Sequence, residues 1–232
     1  MDNIIIALDF DSGTEAFELV DQLGESAKFY KVGLQLLTAE GPAVVRQLIS
    51  RGKEVFLDLK LHEIPASVAG AVTAAGSLGV SMVTVHASAG SAVLRAAVEA
   101  ARPYPALNIL ALTVITSMRD ADLAEIGLGA TVSEQVIRLA ALAAAAGCDG
   151  VVASPQEARM LREQLPAGML IVTPGTQLDT EVKRDHARVA TPFDAMRWGS
   201  SHVVMGRAVT RAPNPQAAFA AVREQVDRAA TF

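Results

Sequence analysis

Three charged side chains close one short β-prone run. Val55, Phe56 and Leu57 lead into Asp58 and Lys60, with Glu63 just beyond. Asp58 and Lys60 are two residues apart, so on a strand they point to the same face. A carboxylate, an ammonium and a second carboxylate are costly to gather at a strand end unless they pair or do chemistry. Spacing alone leaves two readings, a surface ion pair or lysine-centred chemistry. Lys31 interrupts an otherwise apolar run, Phe29-Tyr30-Lys31-Val32, where a solvated lysine is improbable and a buried partner carboxylate is its natural explanation. Gly175 and Gly206 each follow a β-prone run, and Arg207 comes next. Backbone N–H groups at those glycines with one guanidinium would suit a phosphate. The plainer alternative is a pair of tight turns with a surface arginine.

The elements that must position these groups alternate strand and helix along the chain. Strands are predicted near 4–8, 29–32, from 55 onward, 82–85, 108–114, 150–153, 169–172 and 202–205. Helices are predicted near 14–23, 38–50, 66–78, 92–101, 132–146, 155–164, 192–198 and 215–229, with a short one inside 118–130. Eight βα units predict a (β/α)₈ barrel, one domain over 1–232, with a mobile loop after strand seven at about 176–188. The competing doubly wound sheet would show a glycine-rich phosphate turn after strand one, where this chain has Asp9-Phe10-Asp11. In a barrel, the carboxyl ends of the strands share one rim. Asp9, Lys31, Asp58, Lys60, Glu63, His86, Thr116, Ser117, Ser154, Gly175 and Arg207 then gather there, and the amino ends are expected to be poorer in polar groups.

Composition narrows the function classes. Hydrophobic residues make up 51% of the 232 residues and charged residues 19%, enough apolar mass for a substantial core. A net charge of −5 and a pI near 5.4 argue against a nucleic-acid surface. One cysteine, Cys148, rules out a disulfide framework and fits a reducing compartment, with a small buried residue before a strand as its role. No run has the length of a membrane span, and the start of the chain enters a strand without a signal-peptide pattern, so a cytoplasmic, membrane-free protein is expected. No His/Cys/Asp/Glu set has metal-ligand spacing. His62 and His86 are read as structural histidines, and His202 lies at the far end of strand eight.

Several stretches together resemble the bacterial orotidine 5′-phosphate decarboxylases over nearly the whole chain. They are Ile6-Ala7-Leu8-Asp9, Tyr30-Lys31-Val32-Gly33, Phe56-Leu57-Asp58-Leu59-Lys60-Leu61-His62, Thr113-Val114-Ile115-Thr116-Ser117-Met118, Val172-Thr173-Pro174-Gly175, Arg188-Val189-Ala190-Thr191-Pro192 and Gly206-Arg207. The Asp-x-Lys-x-x-Asp pattern alone is shared with related sugar-phosphate decarboxylases and aldolases. Its combination with Lys31 and Thr116-Ser117 is far more specific.

The resemblance implies cofactor-free decarboxylation of orotidylate to uridylate in a homodimer, with Glu63 and Ser67 donated across the interface. It implies that Lys60 stabilises and then protonates the C6 carbanion, that Asp58 crowds the substrate carboxylate, and that Lys31 orients Asp58 and contacts ribose. By the same resemblance Asp9 binds a ribose hydroxyl, Thr116 meets the base and Arg207 the phosphate. Pro174, Gly175, Gln177, His186 and Gly206 complete the implied substrate-binding set. The chain departs from the family pattern at Glu63, where an aspartate is usual, and at Ala66. It departs again at Gln177, where an arginine is usual, and at His186, where a glutamine is usual. A decarboxylase-like paralog acting on another nucleoside phosphate, or a catalytically weak nucleotide-binding paralog, is the alternative.

Overall fold

The computed structural model describes residues 2–178 and 190–231. Eight parallel strands pair in chain order and close, β8 against β1, into a barrel. They are β1 (Ile4–Ala7), β2 (Phe29–Gly33), β3 (Glu54–Leu61), β4 (Met82–His86), β5 (Asn108–Leu112), β6 (Gly150–Val152), β7 (Leu170–Thr173) and β8 (His202–Met205). The helices are α1 (Gly13–Leu23), α2 (Leu34–Glu40), α3 (Ala43–Ser50), α4 (Pro65–Leu78), α5 (Ser91–Ala101), α6 (Asp120–Glu125), α7 (Val132–Ala146), α8 (Pro155–Gln164), α9 (Pro192–Arg197), α10 (Arg207–Thr210) and α11 (Pro215–Ala230).

Local chemistry sets most boundaries. Thr131 and Glu134 form a capping box that starts α7, and Gly147 ends it in the left-handed region. Pro155 and Pro192 stand in the first turns of α8 and α9, where a missing N–H costs nothing. One expectation fails here. The predicted helix over 38–50 is two helices, α2 and α3. Gly41 sits at φ 63° after α2, and Pro42 cannot donate a helix hydrogen bond, so the chain breaks between them.

Alternation along the strands divides the core into two shells. Ile5, Ala7, Phe29, Phe56, Met82, Leu110, Leu112, Val152, Val172 and Val204 pack inside the barrel. The out-of-phase residues, such as Ile4, Ile6, Tyr30, Val55, Val83 and Ile109, pack against the helices. The interior is therefore filled rather than open. α11 fastens the end of the chain to its beginning, through Arg223 Nη2 to Asp2 Oδ2 at 2.7 Å.

The amino end of the barrel is not poor in charge, contrary to expectation. Lys53 is only 7% exposed and donates from Nζ to the carbonyls of Gly24 (2.8 Å) and Ala27 (3.3 Å) and to Glu25 Oε1 (3.2 Å). Arg162 reaches across from α8. Its guanidinium donates to the carbonyls of Gly199 (3.0 and 3.2 Å), Met169 (2.9 Å) and Ala167 (3.2 Å) and to Ser201 Oγ (3.2 Å). Asp149 Oδ2 accepts the Ile109 N–H at 2.7 Å. His202 lies at the bottom of the interior, edge-on to Phe29 with ring centroids 6.2 Å apart. Burial lowers its pKa to about 4. Cys148 is buried, and its thiol is pushed up to about 12, first by burial and then by Asp149.

Candidate active site

The carboxyl end of the barrel opens into a cavity of about 830 Å³. Its walls include Ala7, Leu112, Val152 and Val204, the uppermost interior layer of four strands. A row of four charges with alternating sign lies along one side. Lys31 Nζ donates to Asp9 Oδ1 at 2.9 Å and stands 3.8 Å from Asp58 Oδ2, and Lys60 Nζ donates to Asp58 Oδ1 at 2.8 Å. The two inner members are nearly closed off, with side chains 11% (Lys31) and 13% (Asp58) exposed. The ends are open, at 53% for Asp9 and 33% for Lys60. The buried pair is thus neutralised on both flanks, and of the two ammonium groups in the row that of Lys60 is the more open to the cavity. Gly33 makes room for this row. A Cβ there would come within 3.0 Å of Lys31 Nζ and 3.4 Å of Asp9 Oδ1.

Asp58 and Lys60 do not reach the cavity by plain strand alternation. β3 pairs with β4 at Leu57–Val83 and again at Leu61–Val85, so three residues on β3 stand against one on β4. This bulge includes Lys60 at φ 52°, the one non-glycine residue with positive φ among those described. Bulges of this kind re-aim side chains beside active sites. The single β4 residue opposite is Thr84, which is fully buried. Its hydroxyl accepts the Lys60 N–H at 2.8 Å and donates to Asp58 Oδ1 at 3.0 Å.

At the other end of the cavity stand Pro174, Gly175, Gln177, Gly206 and Arg207, with Thr116 and Ser117 on the wall between. Thr176 is buried and holds the strand-seven turn in place, donating to the Val204 carbonyl at 3.0 Å. The Gln177 N–H donates to the Ala190 carbonyl at 3.0 Å. Arg211, the C-cap of α10, lines the same end, and Gln35, whose amide donates to Asp11 at 2.7 Å, lines the outer edge.

The structure therefore brings together Asp9, Lys31, Asp58, Lys60, Thr116, Pro174, Gly175, Gln177, Gly206 and Arg207. It does not bring Glu63 or Ser67 into the cavity of their own chain. Both are exposed, on the run that enters α4, and Ile64 between them is 61% exposed. His186 and most of the 176–188 loop fall outside the described residues. His86 caps the 3-10 turn Ala87–Ala89, with Nδ1 2.6 Å from Ser88 Oγ. It stacks on His62 at 5.1 Å. Burial, then His62 and Lys60, lower its pKa, which suits a neutral acceptor.

Thr84, Gln35 and Arg211 escaped the sequence reading. Thr84 left a usable signal: it is the one hydroxyl in Met82-Val83-Thr84-Val85 and shares the phase of Met82, which faces inward. Arg211 lies four residues after Arg207, one helical turn on, which would place both on one side of a helix had 207–210 been read as helical.

Comparison with known proteins agrees with this geometry. Residues 2–222 match the model of the orotidine 5′-phosphate decarboxylase / HUMPS family. The orotidine 5′-phosphate decarboxylase of Moorella thermoacetica is 46% identical over 233 residues, covering 97% of this chain and 92% of the relative. That of Tolumonas auensis is 47% identical over 215 residues, covering 91% and 93%. The crystal structure of the Lactobacillus acidophilus orotidine 5′-phosphate decarboxylase superposes with a TM-score of 0.86 at 34% identity, covering 98% of this chain and all of the other. A protein of uncharacterised function from Geobacillus kaustophilus superposes with a TM-score of 0.84 at 34% identity, covering 96% of this chain and 99% of the other. With its closed eight-stranded barrel, its lysine-carboxylate row at the carboxyl end and a match over nearly its full length, the chain belongs to the orotidine 5′-phosphate decarboxylase / HUMPS family.

Proposed function

We propose that this protein decarboxylates orotidine 5′-phosphate to uridine 5′-phosphate, the last step in making the pyrimidine nucleotide, as the names of its relatives indicate for them. The observation that carries the reading is the reachable Lys60 ammonium, held by Asp58 at one end of a cavity whose other end presents Arg207 and two glycine turns.

The substrate phosphate sits against the N–H groups near Gly175 and Gly206 and the Arg207 guanidinium. Arg211, on the same wall, supplies a second cation where Gln177 offers only an amide. Thr116 faces the base, and Asp9 and Lys31 face the ribose. The pyrimidine carboxylate then lies beside Asp58. The C6–carboxylate bond breaks, carbon dioxide leaves, and the electron pair stays on C6. The Lys60 ammonium stabilises that pair as it forms and then delivers a proton to C6. The neutral amine regains its proton from water. The ammonium is in place before the charge develops, so little reorganisation is needed at the moment of reaction. No step calls for a cofactor or a metal.

Two copies acting together fit the exposed run from His62 to Ser67. Glu63 and Ser67 are exposed and do not line their own cavity, and the exposed, apolar Ile64 between them suits an interface. The dimer places Glu63, one methylene longer than the usual aspartate, at the partner's row of charges. Light scattering on the purified protein reads the dimer directly, and a monomer under turnover conditions would sink this part. A cytoplasmic location fits the single cysteine, which is buried; among the described residues no helix is long and apolar enough to cross a membrane.

The deciding experiment is the loss of orotidylate absorbance in the presence of the wild-type protein. No loss, with uridylate still bound tightly, would mean a nucleotide-binding paralog. No loss and no binding of either nucleotide would point to a different substrate.

A further inference from the structure

We infer that Thr84 is a positioning residue for the reaction, and that one hydroxyl holds both the main chain and the side-chain partner of the reacting lysine. The inference rests on the decarboxylase reading above, but its structural half stands without it.

The bulge in β3 takes Asp58, Leu59 and Lys60 out of the ladder with β4. The Lys60 N–H therefore has no strand carbonyl opposite it, and an unpaired buried N–H is costly. Thr84 fills that place. Its oxygen accepts from Lys60 N at 2.8 Å, so its single proton is left for Asp58 Oδ1 at 3.0 Å. The same Asp58 oxygen accepts from Lys60 Nζ at 2.8 Å. The contacts form a closed ring from the Lys60 main chain through Thr84 and Asp58 back to the Lys60 ammonium. Every donor and acceptor in the ring has one assignment. The hydroxyl is fully buried, so water does not compete for it.

The ring explains how a lysine can stay at φ 52°, a conformation that L side chains rarely adopt. It also fixes the carboxylate rotamer that aims the ammonium into the cavity. A small displacement of a reacting group is enough to lose about 100-fold in rate. Thr84 touches neither the reacting carbon nor the phosphate end, so its loss should show in kcat and not in binding.

The test compares Thr84→Val with Thr84→Ser. Valine keeps the shape and removes both hydrogen bonds; serine keeps the hydroxyl and removes a methyl. Thr84→Val should lower kcat about 10- to 100-fold with KM for orotidylate and uridylate affinity within about twofold, and Thr84→Ser should recover most of kcat. Equal losses in both variants would make the residue a packing element and overturn the inference, as would an unchanged kcat in Thr84→Val. A crystal structure of Thr84→Val gives a readout independent of turnover. Lys60 still at positive φ with its ammonium still on Asp58 would overturn the inference even if the wild-type protein proved inactive on orotidylate. A shifted Lys60 in a protein inactive on orotidylate would instead support the positioning role and sink only the assigned substrate.

Discussion

At the amino end of the barrel, Arg162, Lys53 and Asp149 point their charge at main-chain carbonyls and amides. At the carboxyl end, Asp9, Lys31, Asp58 and Lys60 point theirs at one another around a cavity. Both ends bring ionised groups out of water, and in both the groups are hydrogen-bonded, as burial demands. They differ in what would be left if a group were removed. At the amino end, the loss strands carbonyls between elements that would otherwise splay. At the carboxyl end, loss of the outermost cation, the Lys60 ammonium, strands no main-chain group, because it donates to Asp58 and not to the backbone. Charge aimed at the backbone serves the fold, and charge aimed at other charge beside a cavity serves a ligand.

Substitutions at the two ends should separate along this line. Lys60→Ala should lower orotidylate turnover by about 10,000-fold or more, since it removes both the stabilising charge and the proton donor, with little change in melting temperature. A melting temperature that collapsed with activity would break the contrast. Arg162→Met should do the opposite. It strands several carbonyl contacts, so stability should fall by about 3 kcal/mol, read as a drop of about 10 °C in Tm, with kcat within about twofold of wild type.

His202 should give the amino end a pH signature. Its pKa in the fold is about 4, against 6.5 for an ordinary histidine. Between those values the unfolded chain binds more protons than the folded one. Its contribution is therefore intact above about pH 6.5 and is lost as pH falls toward 4, by about 3 kcal/mol in all. Denaturant unfolding of wild type and His202→Gln across that window should show the glutamine variant with the shallower slope. Equal slopes would mean that His202 is not the group responsible. The smallest effect belongs to Arg211→Ala, which should raise KM about 10-fold with kcat nearly unchanged, as expected for one charge-assisted contact to phosphate. An unchanged KM would remove Arg211 from the phosphate end.

Much of this was legible in residue order, for specific reasons. The barrel followed from eight short apolar runs separated by helical ones, because strand and helix periods differ enough to be told apart. Lys31 announced a carboxylate because an ammonium inside an apolar strand needs one. The shape of β3 was not legible. Asp58 and Lys60 have alternation spacing, so nothing marked the bulge, and only pairing with β4 reveals that Thr84 stands alone opposite three residues. The charge at the amino end is not legible either, because it comes from helix ends and loops, as with Arg162 and Lys53, and converges only in three dimensions. The break between α2 and α3 was in plain view as Gly41-Pro42, but the apolar periodicity on both sides masked it. Glu63 could be placed beyond the strand. Its distance from its own cavity depends on how the chain leaves the bulge, which residue types do not state.

The left-handed turn at Lys60 has a bearing on how relatives of this chain are read. A lysine held there stores about 1 kcal/mol or more of backbone strain that a glycine would release. Replacing Lys60 with glycine should therefore yield a protein more stable than the alanine variant and just as inert. Drift toward stability and drift toward inactivity then run in the same direction at this one position. A barrel of this family that carries glycine or asparagine there has relaxed its backbone along with losing its chemistry. Its thermal stability would rise at the moment its activity disappeared, so a well-behaved, heat-tolerant homologue is no evidence of a working enzyme.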